Sequence, residues 1–447
     1  MAAPSAEGNV AAPNAEGNVA APNAENNVAA PNGECNVAWP AAKNNVAKPA
    51  AESNGAEAER LPSENHRAIA ASSPRGEDVP GRTRTRPNVP RSGFLFDGVA
   101  VGAALLVALV PLPAGWIERH YSNGLYPAID RAVRALTGPV PFTVGDLLLF
   151  VTVLALVAYW VRALRAAPPK VRLRRVLPLL ARTAAILALI FLWFEVSWAF
   201  NYGRVPLEAK IPVHAQRPVP RRVDAFADHA ADELNRLAPL AHREHPSDAQ
   251  FERELFPRFS AVIARLGDRD VFPPPRIKPT IFQPMMAATG TNGFTDPWTH
   301  EVNVDASAFW FERPAIYAHE WGHISGFADE TEANLISVLT CTTTPDPLIQ
   351  YSGWILLWFN LGREVHVKHK PSPLVRADIK AILKRYNAQV NPGLEKAQRV
   401  AYDRYLKGNG VKSGVTSYRL FVRWLVGADF DSTGLPIVRP GVSADAP

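Results

Sequence analysis

Apolar residues along this chain fall into three regimes. Large apolar side chains are almost missing up to about residue 92, run in long blocks from 93 to 200, and beyond 204 recur at short intervals. The blocks are residues 93–116, 144–161 and 176–200, each near the ~20 residues with which an α-helix crosses hydrocarbon. Each is predicted to span a membrane. Asp97, Pro111 and Pro113 stand near the ends of the first block, where interfacial water can serve unsatisfied groups, and Trp116, Trp160 and Trp198 stand near block ends, as interfacial aromatics do. Arg182 and Glu195 fall inside the third block. Both are within reach of an interface or a bundle contact and are read as structural.

Residues 223–240 and 248–266 carry apolar positions three and four apart and predict helices, which the prolines at 273–275 interrupt. Gly290, Asn292, Gly293 and Pro297 then mark turns between short apolar runs, and residues 301–305 alternate strictly, as a half-buried strand does. The stretch 349–361 is apolar but too short to cross unaided, and predicts a buried or membrane-resting helix. The expected fold class is mainly α: three N-terminal transmembrane helices over 93–203, then a mostly helical domain over 204–447 with a short β-hairpin or strand before the helix near residue 320.

Composition adds the remaining segment. Residues 1–92 are dominated by Ala, Pro, Asn, Gly and Glu, too little apolar surface to offset chain entropy, and are expected to be disordered. A nine-residue unit, 12–20, recurs at 21–29 and 30–38. A proline in each unit, with valine as its only sizeable apolar group, argues for an expanded linker and against a stacked solenoid. The net charge of +6 does not point to nucleic acid, because the basic residues flank the apolar blocks. Arg75, Arg82, Arg84, Arg86 and Arg91 precede the first block, and Arg162, Arg165, Lys170, Arg172, Arg174 and Arg175 fill the link between the second and third. The link after the first block has Arg119, Arg131 and Arg134 beside Glu118 and Asp130. The positive-inside rule therefore puts the tail in the cytoplasm and the 204–447 domain outside, periplasmic or extracellular, with the bilayer as a partner. Cys35 and Cys341 fall on opposite sides in that topology, and two cysteines make neither a disulfide scaffold nor a cysteine zinc site.

The chemistry is concentrated in residues 319–334. His319-Glu320-Trp321-Gly322-His323 is an HExxH sequence with apolar flanks. On a helix both imidazoles leave one face and can bind one zinc ion, with Glu320 beside them as general base and Gly322 leaving the metal side uncrowded. A catalytic zinc site takes a third protein ligand. Two readings supply it: Asp329, at metzincin spacing after Gly326, or Glu330, opening a second helix in which Asn334 would orient a histidine through its other ring nitrogen. Glu332 is a further group for the surrounding shell. Tyr317, Tyr405 and Tyr418 are candidate oxyanion donors by residue type alone.

The chain also resembles the bacterial membrane proteins grouped as DUF3810. The matching stretches are Trp198-Ala199-Phe200-Asn201-Tyr202-Gly203-Arg204, residues 293–304, the HExxH with Gly326-Phe327-Ala328 and Glu332-Ala333-Asn334, and residues 402–411 and 414–418, so that the likeness runs over about 93–430. The resemblance implies three spans, an outer zinc-peptidase-like, gluzincin-like domain, and Glu330 rather than Asp329 as third ligand. The resulting expectation is a zinc metallopeptidase acting on a peptide or protein substrate, with a noncatalytic envelope protein carrying a structural or vestigial metal site as the alternative. Intramembrane proteolysis is disfavoured by the more than one hundred residues between the last block and His319. The sequence assigns no oligomeric state.

Overall fold

A computed structural model describes residues 91–439 except 167, 169–171, 215–219, 244–245, 268, 270, 362–364, 412–413 and 415–419. The repeat tail, Cys35 and Tyr418 therefore lie outside the described residues. Helix α1 (Arg91–Leu109) stops short of the first apolar block's predicted end. Pro111 and Pro113 cannot continue its hydrogen-bond ladder, and the segments Leu95–Leu109 and Ala114–Thr137 meet at 111°. Beyond the bend α2 (Ala114–Trp116) runs through a π-helical stretch, Ile117–Leu125, into α3 (Tyr126–Thr137). This part lies against the globular region: the Tyr126 hydroxyl donates to the Ile324 carbonyl at 2.9 Å, and buried Glu118 pairs with Arg204 and Lys210.

Helices α4 (Val144–Arg165) and α5 (Arg172–Ser197) are long and apolar enough to cross a membrane; the bent pair would make a third crossing only if it counts as one span. No residue of α4 is fully buried within the protein; its Trp160 indole donates to the Thr183 hydroxyl of α5 at 2.9 Å. Ala100 and Ala104 of α1 meet Ala185 and Ala188 of α5, small side chains that let two helices approach closely. Arg182 lies 3.2 Å from Asp97, so the charge in the third block has its partner in the first.

The globular region contains α6 (Leu207–Lys210), α7 (Pro220–Ala241), α8 (Asp248–Gly267), α9 (Gln283–Thr289), β1 (Gly293–Asp296), β2 (Glu301–Val304), α10 (Arg313–Ile324), α11 (Glu330–Thr342), α12 (Pro347–Asn360), α13 (Pro373–Gln389), α14 (Pro392–Gly408) and α15 (Leu420–Gly427). The helices predicted over 223–240 and 248–266 are α7 and α8. The core is built on α7, α8, α10, α11 and α12, with Trp321, Trp358, Tyr317, Phe251 and Phe259 among its largest fully buried side chains. Helix α12, predicted to be buried or membrane-resting, is a core helix: all its residues except Pro347 and Gln350 are buried.

The strands form an antiparallel hairpin, with Gly293 opposite Val304 and Asp296 opposite Glu301. The alternation of β2 predicted one wet face, but all its residues are buried, because the polar ones have partners. Asn303 donates to the Thr143 hydroxyl and the Lys278 carbonyl. Glu301 accepts from the Val144 and Gly145 amides at 3.0 and 2.9 Å and pairs with Lys278 at 2.7 Å. The first amides of a helix have no intrahelical acceptor, so the hairpin carries the carboxylate on which α4 starts. Its turn is fastened to α3 and α5: buried His300, at φ 53°, reaches Asp130 through Nδ1 and the Ser197 carbonyl through Nε2. Glu301→Ala would leave the Lys278 ammonium buried without a counter-ion, an expected loss of about 3–5 kcal/mol in thermal unfolding of the detergent-solubilised protein. A loss below about 1 kcal/mol, the scale of an exposed pair, would contradict this role.

Candidate metal centre

Helix α10 begins with Pro314 at a position where a missing N–H is harmless, and every residue from Pro314 to Ile324 is buried. It ends in a tight reversal at Gly326, whose φ of 79° favours glycine. Asp329 then caps α11, its carboxylate accepting from the Thr331 amide at 2.7 Å. The metzincin-like alternative is thereby not the one the fold presents: Asp329 serves the backbone, and the next residue, Glu330, turns toward α10. Gly322, read as clearing the metal side, faces α11 instead, where a Cβ would meet the Ala333 backbone at 3.5 Å. That distance is ordinary van der Waals contact.

The reversal brings three donor atoms together. His319 Nε2 and His323 Nε2 are 3.2 Å apart, and Glu330 Oε2 lies 3.1 Å from the first and 3.5 Å from the second. Ligands at tetrahedral angles around zinc, about 2.0–2.1 Å from it, are separated by roughly 3.3 Å. His319, His323 and Glu330 are also the group of His, Cys, Asp and Glu residues able to hold a metal among those described. Glu330 Oε2 is buried without a hydrogen bond to either ring. The donor set, two imidazoles and a carboxylate, is of a kind that binds catalytic zinc.

The other side of each ligand is held. His319 Nδ1 lies 3.0 Å from Asn334 Oδ1, and His323 Nδ1 lies 2.8 Å from the Phe327 carbonyl. Both contacts favour the proton on Nδ1 and leave Nε2 as donor to a metal. Glu330 Oε1 accepts from the Tyr402 hydroxyl. Glu332 points elsewhere: its carboxylate accepts from the Leu207 amide at 2.7 Å and helps seat α6. Burial, with Asp329 adding to it, pushes the Glu332 carboxyl up to about 7.

Glu320 lies beside the donors with one oxygen held and one free. Thr295 donates to Oε2 at 2.7 Å, and buried Oε1 has no partner. Burial raises its pKa, against the two imidazoles that lower it. For Glu330 burial also works to raise the pKa, but the imidazoles hold the carboxyl far below the usual range. Burial would lower that of His323, yet the Glu330 and Glu320 charges bring it to about 9. The strand β1 closes over Glu320 so tightly that a Cβ on Gly293 would meet Oε1 at 2.2 Å. Gly293→Ala is therefore expected to displace the Glu320 carboxylate, and any activity that depends on that carboxylate should fall by at least about tenfold while metal content stays unchanged. Wild-type activity in that variant would show the contact to be irrelevant.

The family model described as "Protein of unknown function (DUF3810)" matches residues 121–426, more than half of the chain. The chain belongs to DUF3810. Helix α1 lies outside the matched residues, although the sequence likeness was drawn from about 93. No curated protein and no solved structure matches.

A cleft of about 380 Å³ opens onto the donors. In this DUF3810 member its walls include Phe194, Trp198, Tyr202, Thr295, Trp298, Tyr402 and Tyr405. Of the tyrosines considered from sequence, Tyr405 lines the cleft, 3.3 Å by hydroxyl from Tyr202. Tyr317 lies on another face of α10, bonded to Asp248 and Arg313. Tyr402 was missed as a partner of Glu330; its place three residues before Tyr405 on a helix was the available signal. Trp198, read as an interfacial aromatic, is buried, its ring 6.2 Å from that of His323.

Proposed function

We propose that this DUF3810 protein is a membrane-anchored zinc metallopeptidase that hydrolyses peptide bonds of extracytoplasmic peptides or envelope proteins. The observation that carries the reading is the convergence of His319 Nε2, His323 Nε2 and Glu330 Oε2 beside a buried, half-free Glu320 carboxylate. Zinc bound there would supply Lewis-acid activation of water and of the scissile carbonyl. Glu320 Oε1 is placed to take a proton from water in the cleft and later return it to the departing amine, while Thr295 fixes the other oxygen. Tyr405 lines the same cleft and is the candidate donor to the carbonyl oxygen. Strand β1 pairs with β2 alone among the described residues and contributes Gly293, Phe294 and Thr295 to the cleft. An extended substrate backbone could add along its other edge. A zincin-like fold for the globular region is part of the same proposal.

The topology proposed is three crossings with residues 1–92 in the cytoplasm. The start of α4 rests on Glu301 and the end of α5 on the Pro297 carbonyl, so both face the globular region, as does the bent segment after α1. Arg162 and Arg165 lie at the far end of the 22-residue α4, about 33 Å from its start, as the positive-inside rule asks. The test is cleavage of a peptide library by the purified protein in detergent, before and after chelation. Cleavage that stops with chelator and returns with zinc supports the reading. Zinc without cleavage of any sequence would transfer support to a noncatalytic metal protein.

A further inference from the structure

The cleft lies at the ends of the apolar helices, which bears on what can enter it. One wall is the last turn of α5 itself: Phe194 is 5.4 Å by ring centroid from Trp298 and 6.2 Å from Tyr405, and Trp198 touches a candidate metal ligand. The opposite wall is β1 and its turn, where Phe294 and Trp298 remain 46% and 40% exposed. The Trp193 indole on α5 donates to the Trp298 carbonyl at 3.2 Å, so this turn sits against the side of a membrane helix. Phe142 and Ile281 are also exposed, close to the first turn of α4, which Thr143 and Asp146 join to residues 279–281. Single exposed apolar residues are ordinary. Four of them at the level where two apolar helices enter the globular region form a rim suited to the interfacial zone of a bilayer.

The lining has a second property. Apart from Glu320, His323 and Glu330 it is aromatic, apolar or uncharged, with no lysine or arginine to receive a terminal carboxylate among the described residues. Internal chain fits it better than a free C-terminus.

We infer that the substrate is a polypeptide anchored in the same bilayer and cut at an internal, apolar-rich segment just outside its own membrane anchor. This rests on the peptidase reading above. Confinement to the bilayer raises the substrate's effective concentration only while the segment can reach the cleft, and a flexible spacer dilutes it as the spacer lengthens.

The experiment uses the full chain with zinc in nanodiscs. One cleavable sequence is offered as a soluble peptide, directly outside a single transmembrane helix, and beyond flexible spacers of increasing length. A soluble protease that cuts the same sequence sets the baseline. The anchored form should be cut on the order of tenfold faster than the soluble peptide relative to that baseline, with the advantage lost as the spacer grows. In the same discs the Glu320→Gln protein should shield the anchored sequence from the soluble protease and leave cleavage of the soluble peptide unchanged. Equal cleavage of soluble and anchored forms overturns the inference and leaves the peptidase reading intact. So does a requirement for a free C-terminus. Neither cleavage nor shielding of any form overturns the peptidase reading and this inference with it.

Discussion

Glu320→Gln is expected to lower kcat by about 10²–10⁴-fold, the usual worth of a positioned general base, while leaving zinc bound. The amide has the size of the carboxylate and can keep the Thr295 hydroxyl as a donor to its oxygen, so the side chain's place under Gly293 need not change. What it loses is a basic oxygen at the position where Oε1 is buried without a protein partner. The measurement is single-turnover cleavage of a fluorogenic peptide alongside the metal content of the same sample. Activity within about threefold of wild type would remove Glu320 from the mechanism, and loss of zinc together with activity would assign it a structural role instead.

Glu330→Ala should have the largest effect on the metal itself. It removes one of three donors, so zinc content should fall from near-stoichiometric to near zero and activity with it. The neighbouring Asp329→Ala is the control. Its carboxylate caps α11, and removing a cap costs about 1 kcal/mol with zinc retained. Asn334→Ala falls between the two, with zinc affinity lowered about 10–100-fold, because it frees the His319 ring without removing a ligand. Equilibrium titration with a competing chelator orders the three variants. Loss of zinc from Asp329→Ala with retention in Glu330→Ala would exchange the two residues in the account.

Much of the site was legible because it is local. His319, Glu320, His323, Glu330 and Asn334 lie on two consecutive helices, and helical spacing alone says which of them can share a face. The choice between Asp329 and Glu330 was not local. It depends on where α11 begins, and one residue of shift decides whether a carboxylate caps a helix or faces its neighbour. The apolar periodicity likewise marked α4, α5, α7, α8 and α12, while the end of α1 was overrun because hydrophobicity continues past Pro111 and Pro113 although the helix cannot.

What sequence concealed is the meeting of distant segments. The span between residue 200 and His319 argued that the motif stands clear of the bilayer, yet the end of α5 returns to pack Trp198 against His323. Helix α10 itself is part of the globular core, so the candidate site is beside the long apolar helices and not within them. The full burial of β2 was hidden for a similar reason. Glu301 and Asn303 read as wet positions in the strand, and their partners Lys278, Thr143 and the α4 amides come from 23 to 160 residues away.

The claim that this chain builds a catalytic zinc centre is tested most directly by zinc K-edge X-ray absorption on the full-length protein purified without added metal. The account predicts a zinc ion with two imidazole nitrogens and one carboxylate oxygen at about 2.0–2.1 Å plus a light-atom donor from solvent, with the imidazole signal lost in His323→Ala. A protein that carries no zinc, or zinc whose imidazole signal survives that substitution, would contradict it.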